Sequence, residues 1–96
     1  MSPKNKLKLN ILRKRLDIID NQLLTIIKKR SEIVKKVLSL KEYKKEIIDK
    51  KRIDTILKKI KKESLKRNVD PKITNRIWKN MIWSYINFER RNFKKK

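Results

Sequence analysis

Three charged side chains interrupt apolar helical spacings in ways that could serve chemistry: Arg30, Lys41 and Glu89. Arg30 and Lys41 are eleven residues apart, which on a helix is three turns plus about 20°. They share one face, with backbones about 16 Å apart, and both side chains can converge on a small anion between them. Arg13 lies 17 residues before Arg30, about 25 Å along the helix and about 100° round it. It cannot join the same site from the same helix. In an antiparallel pair of copies, Arg13 of one chain could meet Arg30 of the other. Glu89 continues the apolar series 77/78, 81/82, 85/86 by one more step of four. A carboxyl there extends an apolar face beside Tyr85, where burial favours its protonated form and nearby cations oppose that. Taken singly, each Arg or Lys reads first as a solvated surface residue, and Glu89 first as an ordinary charge at a helix end. The spacing is what singles them out.

The rest of the inventory narrows the chemistry. The 96 residues contain no Cys, His, Gly or Ala. Disulfides, thiolate zinc sites and Cys nucleophiles are excluded, and with them the commonest general base and metal ligand. Glycine-rich phosphate loops are excluded too. Ser31, Ser64 and Ser84 have no His to activate them, so a hydrolytic triad is out. Any catalysis must run on cations, carboxyls, hydroxyls and amides, with no metal or cofactor expected. The net charge is +21, which suggests a polyanion partner. However, Lys, Ile and Asn, all with A/T-rich codons, supply 46 of the 96 residues, so codon bias accounts for much of the lysine. Most of these cations are expected on solvated helix faces, while the positive field draws small anions toward a cleft. No apolar run suits a membrane span or a signal peptide, so a cytoplasmic location is the expectation.

The positioning elements follow from periodicity. Leu9, Leu12, Leu16, Ile19, Leu23, Ile26, Ile27, Ile33, Val34, Val37 and Leu40 recur at helical steps. They predict a helix over 6–41, roughly 50 Å long. A chain this size cannot bury such a helix alone, so the stripe asks for a partner. Residues 42–48 lose the pattern and predict a loop. Asp49 is a candidate N-cap for a helix over 49–66, striped by Ile53, Ile56, Leu57 and Ile60. Asn68-Val69-Asp70-Pro71 then marks a break, with Asp as cap and Pro in the first helical position. The third helix runs to about 92. Residues 1–6 and 92–96 are expected to be disordered basic tails on a single domain spanning 1–96. The aromatics Tyr43, Trp78, Trp83 and Tyr85 read as core at helical spacing rather than as base-stacking platforms. The fold class is all-α, one long helix and two shorter ones.

Leu12-Arg13-Lys14-Arg15-Leu16-Asp17-Ile18-Ile19-Asp20-Asn21-Gln22-Leu23-Leu24 resembles the opening signature of the all-helical, type II chorismate mutases: Leu-Arg, then Ile-Asp, then Leu-Leu at these offsets. Arg30, Lys41 and Asp49-Lys50-Lys51-Arg52 follow in the family's order, and Asn68-Val69-Asp70-Pro71 resembles its break before the last helix. The likeness covers residues 9–91. It implies an intertwined homodimer of three-helix chains with two equivalent sites, each taking an Arg from the partner's long helix. It also implies the cofactor-free rearrangement of chorismate to prephenate. Carried over by position, Arg13 of the partner chain, Arg30 and Arg52 would hold the substrate's carboxylates. Lys41 would donate to the ether oxygen, and Asp49 would meet the ring hydroxyl through its backbone N–H. Glu89 falls where many relatives have Gln, a second donor to that oxygen; only a protonated Glu can donate. Turnover is therefore expected to fall as pH rises and Glu89 loses its proton.

Two positions depart from the family pattern. Its usual Glu after the Arg of the second helix is Ile53 here, and its Ser four residues before the Gln/Glu position is Tyr85. With these departures the chain also resembles the branch of isochorismate-pyruvate lyases, which use the same cationic pocket to release salicylate and pyruvate. Isochorismate carries its hydroxyl elsewhere on the ring, so a missing Glu matters less there. Chorismate mutase is the favoured expectation and the lyase the alternative. Two further alternatives are a family member without activity that serves as an interaction module, and a basic helical binder of nucleic acid. The scatter of Lys around every helix argues against the last.

Overall fold

The computed structural model describes residues 1–95. Among the described residues there are three α-helices and one short 3₁₀ turn: α1 (Pro3–Leu40), the turn Lys44–Ile47, α2 (Lys50–Lys66) and α3 (Pro71–Asn92). There is no strand among the described residues. The chain divides into two compact units, Met1–Val34 and Lys35–Lys96.

The first unit is the N-terminal part of α1. Ser2 caps it, its hydroxyl accepting from Asn5 N–H (3.2 Å) and its carbonyl from Lys6 N–H (2.8 Å). Pro3 takes the first helical position, where a missing N–H costs nothing. The expected basic tail over 1–6 is thus helical from Pro3. No residue anywhere on α1 is buried. Its apolar stripe stands open to solvent: Leu12, Leu16, Ile19 and Leu23 are each at least 50% exposed.

The second unit holds the core. Ile47, Ile82 and Ile86 are buried, with Leu38, Ile48, Ile53, Ile56, Leu57 and Phe93 packed around them. α2 and α3 pack against each other, and α3 also packs against the 3₁₀ turn. Asp49 caps α2, its carboxylate accepting from Arg52 N–H at 3.0 Å. α2 ends as Asn68 turns left-handed (φ 56°), a conformation that asparagine tolerates, and Val69 N–H closes on the Ser64 carbonyl at 2.9 Å. Asp70 then caps α3 through Lys72 N–H (2.9 Å). The Ser64 and Thr74 hydroxyls meet at 2.6 Å and tie the two helices together near this turn.

The cap signals therefore place the two shorter helices within a residue or two of their expected bounds. The aromatics divide. Trp78 and Tyr85 are half-buried, whereas Tyr43 and Trp83 are exposed at 59% and 47%, so those two are not core. Tyr43 lies instead under the Lys45 ammonium, 5.6 Å from the ring centre, a cation–π arrangement. Asn92 closes α3 and Phe93 folds back on the core cluster, so the C-terminal tail begins beyond Phe93. Of the residues expected in it, Lys96 lies outside the described residues.

Candidate active site

The centre of the candidate site is an ion pair between residues 48 positions apart. α3 presents one face through Ile82, Ile86 and Glu89, the steps of four and three that stack side chains on a helix. The first two are in the core, and Glu89 is 6% exposed. A carboxylate buried this deeply must be compensated. Lys41, the first residue past α1, does so. Its Nζ donates to Oε1 at 3.2 Å and to Oε2 at 3.1 Å, and its side chain is itself mostly buried. Two further ion pairs, Glu63 with Lys66 and with Arg67, are longer (3.9 Å) and exposed. They are worth little. Removing one partner of the buried pair would strand a charge, which typically costs 3–5 kcal/mol or about that.

The second unit also holds four more of the expected residues. The Asp49 carboxyl is engaged in capping α2, which leaves its backbone as the part available to a ligand. Arg52 stands exposed in the first turn of α2. Ile53 packs on the Ile47–Ile82–Ile86 cluster, so this position contributes shape and apolar surface and no polar group. Tyr85 is half-buried one turn before Glu89 on the same face of α3. Three further cations, Lys44, Lys45 and Arg90, line a cavity of about 390 Å³ with Ile48.

Arg13 and Arg30 belong to the first unit. Arg13 is exposed and Arg30 half-buried. Their separation on one continuous helix keeps Arg13 about 25 Å from Arg30.

One residue escaped the sequence reading. Glu46, in the segment that loses periodicity, accepts two backbone N–H groups on a single carboxylate oxygen: Glu42 at 2.8 Å and Tyr43 at 3.1 Å. The N–H of Tyr43, then that of Glu42, hold its carboxyl below the usual glutamate range; desolvation opposes this, and the Lys41 and Lys45 charges add to the lowering. A carboxylate three residues after the start of a turn is the spacing of a capping box, and that spacing was the available signal.

Chemically, the second unit offers one largely buried ammonium, one buried carboxyl in contact with it, and the exposed Arg52 guanidinium on α2. It can bind a small anion and stabilise negative charge that develops near Lys41. The model of the family described as chorismate mutase type II matches residues 12–90. No curated protein and no solved structure matches the chain.

Proposed function

The chain belongs to the type II chorismate mutase family, and from that premise we propose that it converts chorismate to prephenate in sites built by two copies of itself. The reaction is pericyclic. One C–O bond breaks as one C–C bond forms, no atom leaves, and negative charge grows on the ether oxygen. Catalysis needs the compact reactive conformer held in place and fixed cations aimed at that oxygen. Arg30, Arg52 and Arg13 of the second copy grip the two carboxylates, a task suited to forked guanidinium donors. Lys41 donates to the ether oxygen, and Asp49 meets the ring hydroxyl through its backbone N–H.

The observation that carries this reading is the Lys41–Glu89 contact. Lys41 and Glu89 stand side by side in a largely buried spot, which supports reading them as two groups that serve one oxygen. Without substrate, Glu89 accepts from Lys41. In the proposed role Glu89 is the second donor to the ether oxygen, which only its protonated form can be. Glu89→Gln, which carries permanent N–H donors, is expected to keep or raise kcat, and Glu89→Ala to lower it. Steady-state kinetics measure this, and a Glu89→Gln protein as impaired as Glu89→Ala contradicts the role.

The second copy is supported by the open stripe on α1. Leu12, Leu16, Ile19 and Leu23 are the residues that a small domain normally buries, each fully buried one contributing about 1.5–3 kcal/mol, and here they face solvent. The same patch on two copies makes a self-complementary interface.

Ile53 supports a second reading. It sits in the core cluster and offers nothing to the ring hydroxyl of chorismate, which suits isochorismate and a lyase giving salicylate and pyruvate. Two assays on the wild type separate the readings: absorbance loss with chorismate, and salicylate fluorescence with isochorismate. The mutase reading expects the first signal to dominate. Salicylate release without chorismate loss would replace it with the lyase, and neither signal would leave a family member without this activity.

A further inference from the structure

The chain leaves α1 at Lys41, whose N–H still bonds the Leu38 carbonyl at 3.1 Å. Beyond it no α-helix fixes the backbone until α2. The direction of the intervening segment decides where the Lys41 ammonium can reach. Two features hold that segment. Ile47 is 4% exposed and packs with Ile82 and Ile86, on the same face of α3 that carries Glu89. One residue earlier, the Glu46 carboxylate takes the N–H groups of Glu42 and Tyr43 at 2.8 and 3.1 Å, and the Glu46 N–H returns to the Tyr43 carbonyl at 3.0 Å. Glu46 is thus a clasp between the core anchor Ile47 and the two residues that follow Lys41.

We propose that Glu46 is the positioning residue for Lys41: by clasping the 42–43 backbone to the anchored turn, it sets the Lys41 ammonium against Glu89. This rests on the proposed mutase reading for its catalytic consequence, though not for its geometry. Glu46 touches no substrate. It acts through Lys41, whose interaction grows only as the ether oxygen gains charge, so losing the clasp should lower kcat and leave KM nearly alone. Its carboxylate also remains ionised to lower pH than an ordinary glutamate, so the clasp persists across the whole neutral range.

The test has two arms on the full-length protein. In the kinetic arm, Glu46→Ala is expected to lower kcat on the order of tenfold with KM changed severalfold less. Glu46→Gln keeps an acceptor oxygen and should recover most of the loss. In a Lys41→Gln background, Glu46→Ala should cost nothing further, a non-additivity that a merely structural residue would not show. The second arm is independent of activity. Lysine side-chain NMR reads the Lys41 signal, assigned by its loss in Lys41→Gln. That signal should move in Glu46→Ala and stay near its wild-type position in Glu46→Gln. An unmoved Lys41 signal overturns the proposal. So does a Glu46→Ala penalty of equal size with and without Lys41, or one that appears in KM alone. A wild type that does not consume chorismate would sink the proposed function instead, and the NMR arm would then decide the clasp by itself.

Discussion

Replacing Arg30 with alanine is expected to lower kcat/KM for chorismate by more than a hundredfold while leaving the fold intact. Arg30 lies on α1, whose structure does not depend on burying it: no residue of that helix is buried, and its helical periodicity runs unbroken on either side. Its role in the proposed mechanism is to hold a carboxylate so that the ring and side chain stay in the reactive conformer, with the breaking bond beside Lys41. Loss of a cation fixed against substrate charge costs about 3 kcal/mol or more, which is over two decades in rate. Arg30→Lys keeps the charge without the planar fork and should recover only part of the loss. Steady-state kinetics with circular dichroism as a fold control measure this. Wild-type rates in a folded Arg30→Ala protein would remove Arg30 from the mechanism.

Local chemistry was legible in the sequence where it is self-contained. Asp49 and Asp70-Pro71 announce the starts of α2 and α3 because caps act within a turn of themselves. The same signature stands at Ser2-Pro3. There the flanking lysines suggested a tail, and the helix in fact begins at Pro3. Glu89 could be placed on an apolar face from its spacing of four, and it is buried there. Its partner could not be read, because nothing in a pattern of threes and fours relates residue 89 to residue 41. That contact exists only once the core of Ile47, Ile82 and Ile86 has formed. Glu46 was missed for a related reason. Its partners are backbone N–H groups, which every residue carries and no composition reveals. Ile53 was read as a missing carboxylate, whereas its packing shows what the position supplies instead, apolar surface for the core.

The second large effect concerns the sharing of a site between two chains. Arg13→Ala is expected to be as damaging as Lys41→Gln, each costing more than a hundredfold in kcat/KM by the same transition-state arithmetic. Yet the two residues should fail in different ways. Arg13 lies on the first unit, about 25 Å along α1 from Arg30, and in the proposed dimer it would reach a site only as the partner's contribution. Lys41, paired with Glu89, would serve the site of its own chain. The open stripe of Leu12, Leu16, Ile19 and Leu23 flanks Arg13, so pairing of copies through α1 is what would carry Arg13 across. The two defects are then complementary. In a mixed dimer one site inherits both substitutions and the other inherits neither.

The decisive measurement is therefore to combine the Arg13→Ala and Lys41→Gln proteins in equal amounts, unfold and refold them together so that subunits exchange, and assay chorismate consumption. Random pairing makes half of the dimers mixed, each with one intact site of two, so about a quarter of wild-type activity should return. If the mixture is no more active than the average of the two variants, each site is the work of a single chain, and the shared cationic site proposed here is wrong.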